Sequence, residues 1–360
     1  MHGQLVHAPK ELVEATQHYV CVRITDMQNV DVRAMRFDFD LTMAIVLMNA
    51  DGTIYHRYGT RDGKDPLSWT SIASFSALLQ QTLNDHQDYE RAPTPPLPHE
   101  PMRAIDLPPL AKKIAQGQRL DCVHCHTIND SEYAWAQKEG RYQADDRWLY
   151  PEPARIGITM NATDQSLLSL VADSSAAADA GLQAGDRVTQ LGVQPRVRTI
   201  ADLQWALHNT SAATTSVQIT FARGDVAMTA TLKLKAGWKH CSFADYAWRP
   251  YKWNLSPSLG CGGTRLTAEE LRAIGEAPSA FAWKVSYFAD WGERAARGTA
   301  PLKAGIQKDD VVLAIDGRRD FTSVDEVHAF VALKKQSGEV LELQLLRGKQ
   351  RITAKLLLPE

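Results

Sequence analysis

Apolar and polar positions alternate with period two through HYVCVRIT (residues 18–25), where β-branched side chains predominate, and this predicts a strand. TMAIVLMN (42–49) is a continuous apolar run of the kind shown by a strand buried on both faces. NADGTIYHRYG then sets Asp51-Gly52 between two strand-like stretches, which predicts a hairpin. In SWTSIASFSALLQQTLNDH the residues Ile72, Phe75, Leu78, Leu79 and Leu83 recur at helical spacing, with Ser68 or Thr70 as N-cap. RAPTPPLPHEP (91–101) breaks the pattern. Its five prolines predict an extended linker over 92–102, which closes a small α/β domain over 1–91.

Beyond the linker the pattern occurs twice. One copy runs from RIGITM through AGLQAGDRV and TIADLQWALH to a strand pair around ARG; the other runs from LGCGGTR through AGIQKDDVV and SVDEVHAFV to a strand pair around LRG. Both carry A-G-[LI]-x-x-[GD]-D-x-V, then a helix, then a hairpin. The expected boundaries are 154–236 and 258–360. The stretch 237–257 between them is dense in Trp and Tyr and reads as an inter-domain packing strip. Cys241 in that strip and Cys261 in the second copy are candidates for a disulfide.

These blocks resemble two PDZ domains of the HtrA type found in exported bacterial proteases. The resemblance implies that each copy adds an extended peptide or a protein C-terminus as an extra strand beside its helix. The carboxylate-capturing loops would be Arg155-Ile156-Gly157-Ile158 and Leu259-Gly260-Cys261-Gly262, with glycine admitting close backbone approach. Groove-facing helix positions would be Leu203 and Leu207, and Val327 and Val331; the alternative for these aliphatics is plain core. No G-x-S-x-G elbow or Ser, His and Asp set precedes the copies, so the protease half is not expected.

The segment 103–153 holds Cys122-x-x-Cys125-His126. C-x-x-C-H is the c-type haem attachment pattern: Cys122 and Cys125 would form thioethers and His126 would be the proximal ligand of the haem iron. Met102, Met160, His124 and His240 are candidates for the sixth ligand, and Tyr133, Trp135, Tyr142, Trp148 and Tyr150 for the walls. A redox dithiol of Cys122 and Cys125, a zinc site that includes His124, and structural thiols are the alternatives. Fifty residues offer little core for a haem unless a neighbour covers it.

Composition narrows the rest. The net charge is −2 without a basic stripe, which argues against a nucleic-acid partner, and no apolar run reaches the length of a membrane span. The start, MHGQLVHAPKELVEAT, has no signal-peptide h-region, although the domain type points to a periplasmic or extracytoplasmic compartment.

Strand, crossover, strand, Asp-Gly hairpin and closing helix over the first 90 residues resemble a thioredoxin fold, here without a C-x-x-C after its first strand. Cys21 lies in that strand and reads as a buried structural thiol. The whole order, carried by FDFDLTMAIVLMNADGTIYHRYGTRD, LDCVHCH, YPEPARIGITM and TIADLQWALH, resembles a group of bacterial thioredoxin-like/PDZ-domain (seleno)proteins. That resemblance implies a redox-active thiol among Cys21, Cys122 and Cys125. The expected fold class is multidomain α/β plus mainly-β: a thioredoxin-like α/β domain followed by two PDZ-like β-barrel/α domains. Two functions stand side by side. One is a tandem-PDZ binding protein with a haem or redox centre, acting as an adaptor or electron carrier with a redox partner. The other is a thiol–disulfide or peroxide-handling oxidoreductase whose PDZ domains recruit substrates.

Overall fold

A computed structural model describes residues 9–36, 44–62, 65, 67–91, 100–117, 125–249, 255–291 and 295–359. The chain divides into two compact units, 1–240 and 241–360, so the first 91 residues and the first repeat copy share one unit. No helix of the described residues is long and apolar enough to cross a membrane.

The first unit opens with helix α1 (Lys10–Thr16), followed by a hairpin of strands β1 (Ile45–Met48) and β2 (Ile54–Tyr58) and by helix α2 (Ile72–Arg91). Gly52 in the hairpin turn has φ +90°, a conformation that favours glycine. Leu12, Leu47, Tyr58, Phe75, Leu78 and Leu79 form the local core. The hairpin and the long helix are as expected, except that Ser71 rather than Ser68 or Thr70 caps the helix (accepting from Ser74 N, 3.0 Å), and three neighbouring expectations are corrected. Residues 20–25 form no strand; Val20 and Val22 are 92% and 79% exposed. Cys21 is therefore exposed rather than buried. Strand β1 is not buried on both faces, since Met48 is exposed. Among the described residues of 9–91 the sheet has two strands, and the larger sheet implied by the thioredoxin resemblance is not formed there.

Residues 28–36 pair with the central segment instead. Val32 N donates to Met102 O (2.7 Å), Ile105 N to Gln28 O (3.1 Å), and Asp31 bridges to Arg103. Helix α3 (Pro108–Ala115) packs on helix α4 (Cys125–Lys138) around Val32, Leu107, Leu110 and Ile128. Arg36 reaches α4 through Asn129 (2.8 Å) and Glu132 (2.7 Å).

The first repeat copy follows as β3 (Ile158–Met160), β4 (Leu168–Val171), α5 (Ala176–Asp179), β5 (Arg187–Leu191), α6 (Ile200–Asn209), β6 (Ser216–Arg223) and β7 (Val226–Lys233). They make a two-stranded sheet, β3-β4, and a three-stranded one, β5-β6-β7, around a core that includes Ile156, Ile158, Leu203, Leu207 and Phe221.

The second unit begins with α7 (Phe243–Ala247). Its repeat copy comprises β8 (Cys261–Arg265), α8 (Ala268–Ala273), β9 (Trp283–Phe288), α9 (Ala295–Lys303), β10 (Val311–Ile315), α10 (Val324–Lys334), β11 (Val340–Arg347) and β12 (Gln350–Leu357). The sheet order is β12-β11-β10-β9-β8, open at both ends, so the expected barrels are open sheets.

The copies repeat down to single hydrogen bonds. Arg223 clamps Asp186 with two bonds (2.8 and 2.9 Å) and donates to Gly181 O (2.8 Å); Arg347 does the same to Asp310 (2.8 and 2.8 Å) and Gly305 O (2.7 Å). Thr199 and Ser323 occupy the same N-cap position on α6 and α10.

Candidate functional site

A strand-adding groove needs an open strand edge beside a helix. In the first copy β3 pairs with β4 alone among the described strands, and the turn at Pro153–Ile156 leads into it beside α6. In the second copy β8 is the edge of its sheet and α10 lies beside it. Both strand edges required by the motif are present.

The loop glycines are required by the fold itself as well. Gly157 has φ +88°, and a Cβ there would lie 2.0 Å from Ser175 Cβ. Gly260 has φ +72°, and its Cβ would lie 2.2 Å from Arg297 O. A Cβ on Gly262 would meet the Tyr287 hydroxyl at 2.3 Å. These glycines admit neighbouring parts of the same chain. Leu203, Leu207, Val327 and Val331 are fully buried members of the two cores, as are Ile156 and Ile158 and, in the second copy, Leu259 and Cys261.

The remaining sides of α6 are covered by the chain itself. Strand β2 lies on it: Arg57 N donates to Asp202 Oδ1 (2.8 Å), and the Arg57 guanidinium sits 3.9 Å over the Trp205 ring. Thr60 donates to Gln204 (2.7 Å), and Tyr150 stacks on His208 with centroids 4.2 Å apart. Only the last residue of α6, Asn209, is exposed. At the same end Lys239 donates to His208 O (2.9 Å); burial lowers its pKa to about 8. Burial, with the charges of Arg36 and Lys239, holds His208 well below the usual histidine value.

Beneath β2 is a buried charge network that sequence reasoning missed. His56, with no exposed surface, bonds Asp202 through Nδ1 (2.8 Å) and Asp85 through Nε2 (2.9 Å). Arg198 holds Asp85 from the other side with two bonds (3.0 and 3.1 Å). Two ionised carboxylates on one imidazole are both served when both ring nitrogens donate, which is the imidazolium form. Burial pushes its pKa down, the Asp202 and Asp85 charges and hydrogen bonds push it up, and the net shift is upward. Burial alone would raise Asp85, but the bonds from His56 and Arg198 win and hold its carboxyl well below the usual range.

The aromatic strip belongs to both units. Trp238 joins the first-copy core, whereas α7 packs along α10 with Phe243 against Phe330 (centroids 5.5 Å). Along α10 only Lys334 is exposed. Cys261 is a buried free thiol, pushed up to about 12 by burial, and does not pair with Cys241.

Cys122 and His124 lie outside the described residues, and of Cys125 and His126 the backbone alone is described: it opens α4. Met160 is buried in the first-copy core, His240 stacks on Trp148 (4.6 Å) and bonds Asp145 (3.0 Å), and Met102 packs with Ile128 of α4. Of the sixth-ligand candidates, Met102 alone shares a cluster with α4 among the described residues. Tyr133 and Trp135 lie on α4 itself, and Tyr142 stacks edge-on against Tyr133 (4.7 Å).

Residues 154–234 match the PDZ domain family model. No curated protein sequence matches the chain. Among solved structures, a variant of the HtrA-type protease AlgW with tripeptide is similar at 20% identity over 29% of this chain and 32% of that one (TM-score 0.23). The HtrA-type protease AlgW with decapeptide is similar at 12% identity over 50% and 51% (TM-score 0.24). A PDZ domain protein from Parabacteroides distasonis ATCC 8503 is similar at 8% identity over 56% and 96% (TM-score 0.20). The chain thus spans about a third and about half of the two protease chains.

Proposed function

We propose that this protein captures extended peptide segments or protein C-termini by strand addition, using the PDZ domain at 154–234 and a second PDZ-type copy at 258–360. The observation that carries the reading is the open edge of β3 inside a segment that matches the PDZ family, repeated by the open edge of β8. Backbone pairing supplies affinity in this mode, and flanking side chains supply selectivity. The test is a peptide library presented to the full chain, with each hit compared with its C-terminally amidated form. Binding that amidation abolishes supports carboxylate capture. Binding that amidation leaves unchanged assigns the grooves to internal segments. A library without any hit rejects the reading. Bulky replacements at Gly157 or Gly260 are unsuited to this test, because they clash with Ser175 or Arg297 and report on folding.

The reading includes a redox or c-type haem centre at Cys122, Cys125 and His126, in an extracytoplasmic adaptor or electron carrier. What supports it is that Cys125 and His126 of the motif lie on α4. Haem attachment and dithiol chemistry share that placement. A haem there would supply one-electron chemistry, with His126 as its axial ligand. Protein made with haem-maturation machinery should then show a Soret band that survives denaturation. Without that band, a Cys125→Ser variant that traps a mixed disulfide would favour thiol–disulfide exchange, and loss of both signals removes the centre from the function.

A further inference from the structure

From the buried contacts of β2 on α6 we infer that the N-terminal hairpin is a releasable cover on the PDZ groove helix, held shut by the proton on His56. Its consequence for peptide capture rests on the function proposed above. The cover is polar where it meets the helix: Asp202 accepts from His56 Nδ1, from Arg57 N and from the N–H groups of Arg198 and Thr199 (3.1 and 3.3 Å), while Asp85 of α2 closes the other side of the ring. An apolar interface would hold at any pH, whereas this one depends on one ionisation.

Among the described residues, four charged groups from different elements surround the ring. Asp85 comes from α2, Asp202 from α6, Arg198 from the turn before α6, and Arg57 from β2 itself. The neighbouring His86 is turned to the Tyr55 hydroxyl (2.8 Å). Neutral imidazole has a single N–H, so loss of the proton removes the ring's bond to one of the two buried carboxylates and the counter-charge of both. The folded pKa lies above the unfolded value, so the contribution is complete below about 6.5 and declines by up to about tenfold per pH unit until the folded pKa is passed. The cover therefore loosens on the alkaline side.

Amide hydrogen exchange of the full chain against pH, corrected for intrinsic rates, reads the cover without any peptide. Segments 54–60 and 198–209 should lose protection by up to about tenfold per pH unit above pH 6.5. β11 and β12, in the other unit, serve as the reference and should stay flat. Asp85→Asn removes one of the charges that raise His56, so the loss should still begin near pH 6.5 but end at lower pH and be smaller in total. Lys239, which also titrates in this range, is untouched by that change. Protection that is level from pH 6 to 10, or a total loss in Asp85→Asn as large as in the unaltered chain, overturns the proposal. If the cover opens as described but no library peptide binds at any pH, the cover stands and the peptide-capture reading falls.

Discussion

Two thiols illustrate how far a residue's surroundings set its chemistry. Cys21 and Cys261 are both free, but one stands in an exposed segment and the other is sealed in the core of the second unit. With its pKa near 12, Cys261 holds about one part in ten thousand as thiolate at pH 8. Iodoacetamide on the native protein at that pH should modify Cys21 and leave Cys261 intact until denaturant is added; equal rates at the two sites would mean that the second core opens readily. The sequence misplaced Cys21 for a physical reason. Period two with β-branched residues says that a segment can form a strand, and forming one requires a partner edge, which residues 20–25 do not have among the described strands.

At the scale of elements, what could be read in advance was local. The Asp51-Gly52 hairpin and the helix over 72–91 are specified by neighbours a few positions apart. The repeat was legible because both copies use the same short blocks, and those blocks turn out to hold the Asp–Arg clamps. Asp186 and Asp310 are buried beneath partly exposed arginines. Replacing either Asp by Ala removes the clamp and also the acceptor of the Gln183 or Gln307 amide, and loss of that amide's bond should cost about 1 kcal/mol. Urea unfolding should show the loss in the unit that carries the change and not in the other; a loss below about 0.5 kcal/mol would class the clamps with ordinary surface pairs. The network at His56 was not legible, because its partners lie 29 and 146 positions away. Asp202 was further disguised by Thr199-x-x-Asp202, which reads as a helix cap; it is one, and it serves the network as well. The two readings of the groove-helix positions were not separable for a related reason. Leu203, Leu207, Val327 and Val331 have the spacing of a groove wall and equally that of a core stripe, and the cores claim all four.

For the whole molecule, the division at residue 240 predicts how it comes apart. Hairpin, central helices and first copy should unfold together, and 241–360 separately. Asp202→Ala should shift the first transition by about 3–5 kcal/mol, since it leaves buried His56 without one of its counter-charges. An equal shift in the second transition, or a hairpin that melts well before the first copy below pH 6.5, where the cover is shut, would contradict this division. The first transition should also weaken at both ends of the pH scale. Asp85 has a lowered folded pKa, so its contribution is present above about pH 4 and fades as pH falls through that folded value, while His56 fades on the alkaline side. Within each unit an element that precedes the repeat copy lies on its groove helix, β2 on α6 and α7 on α10. In terms of populations, a groove that is uncovered in one molecule of a hundred binds about a hundredfold more weakly than its contacts alone would allow. Such a protein ignores abundant weak termini and responds to segments present at high local concentration, so the cover sets a threshold as well as a lock.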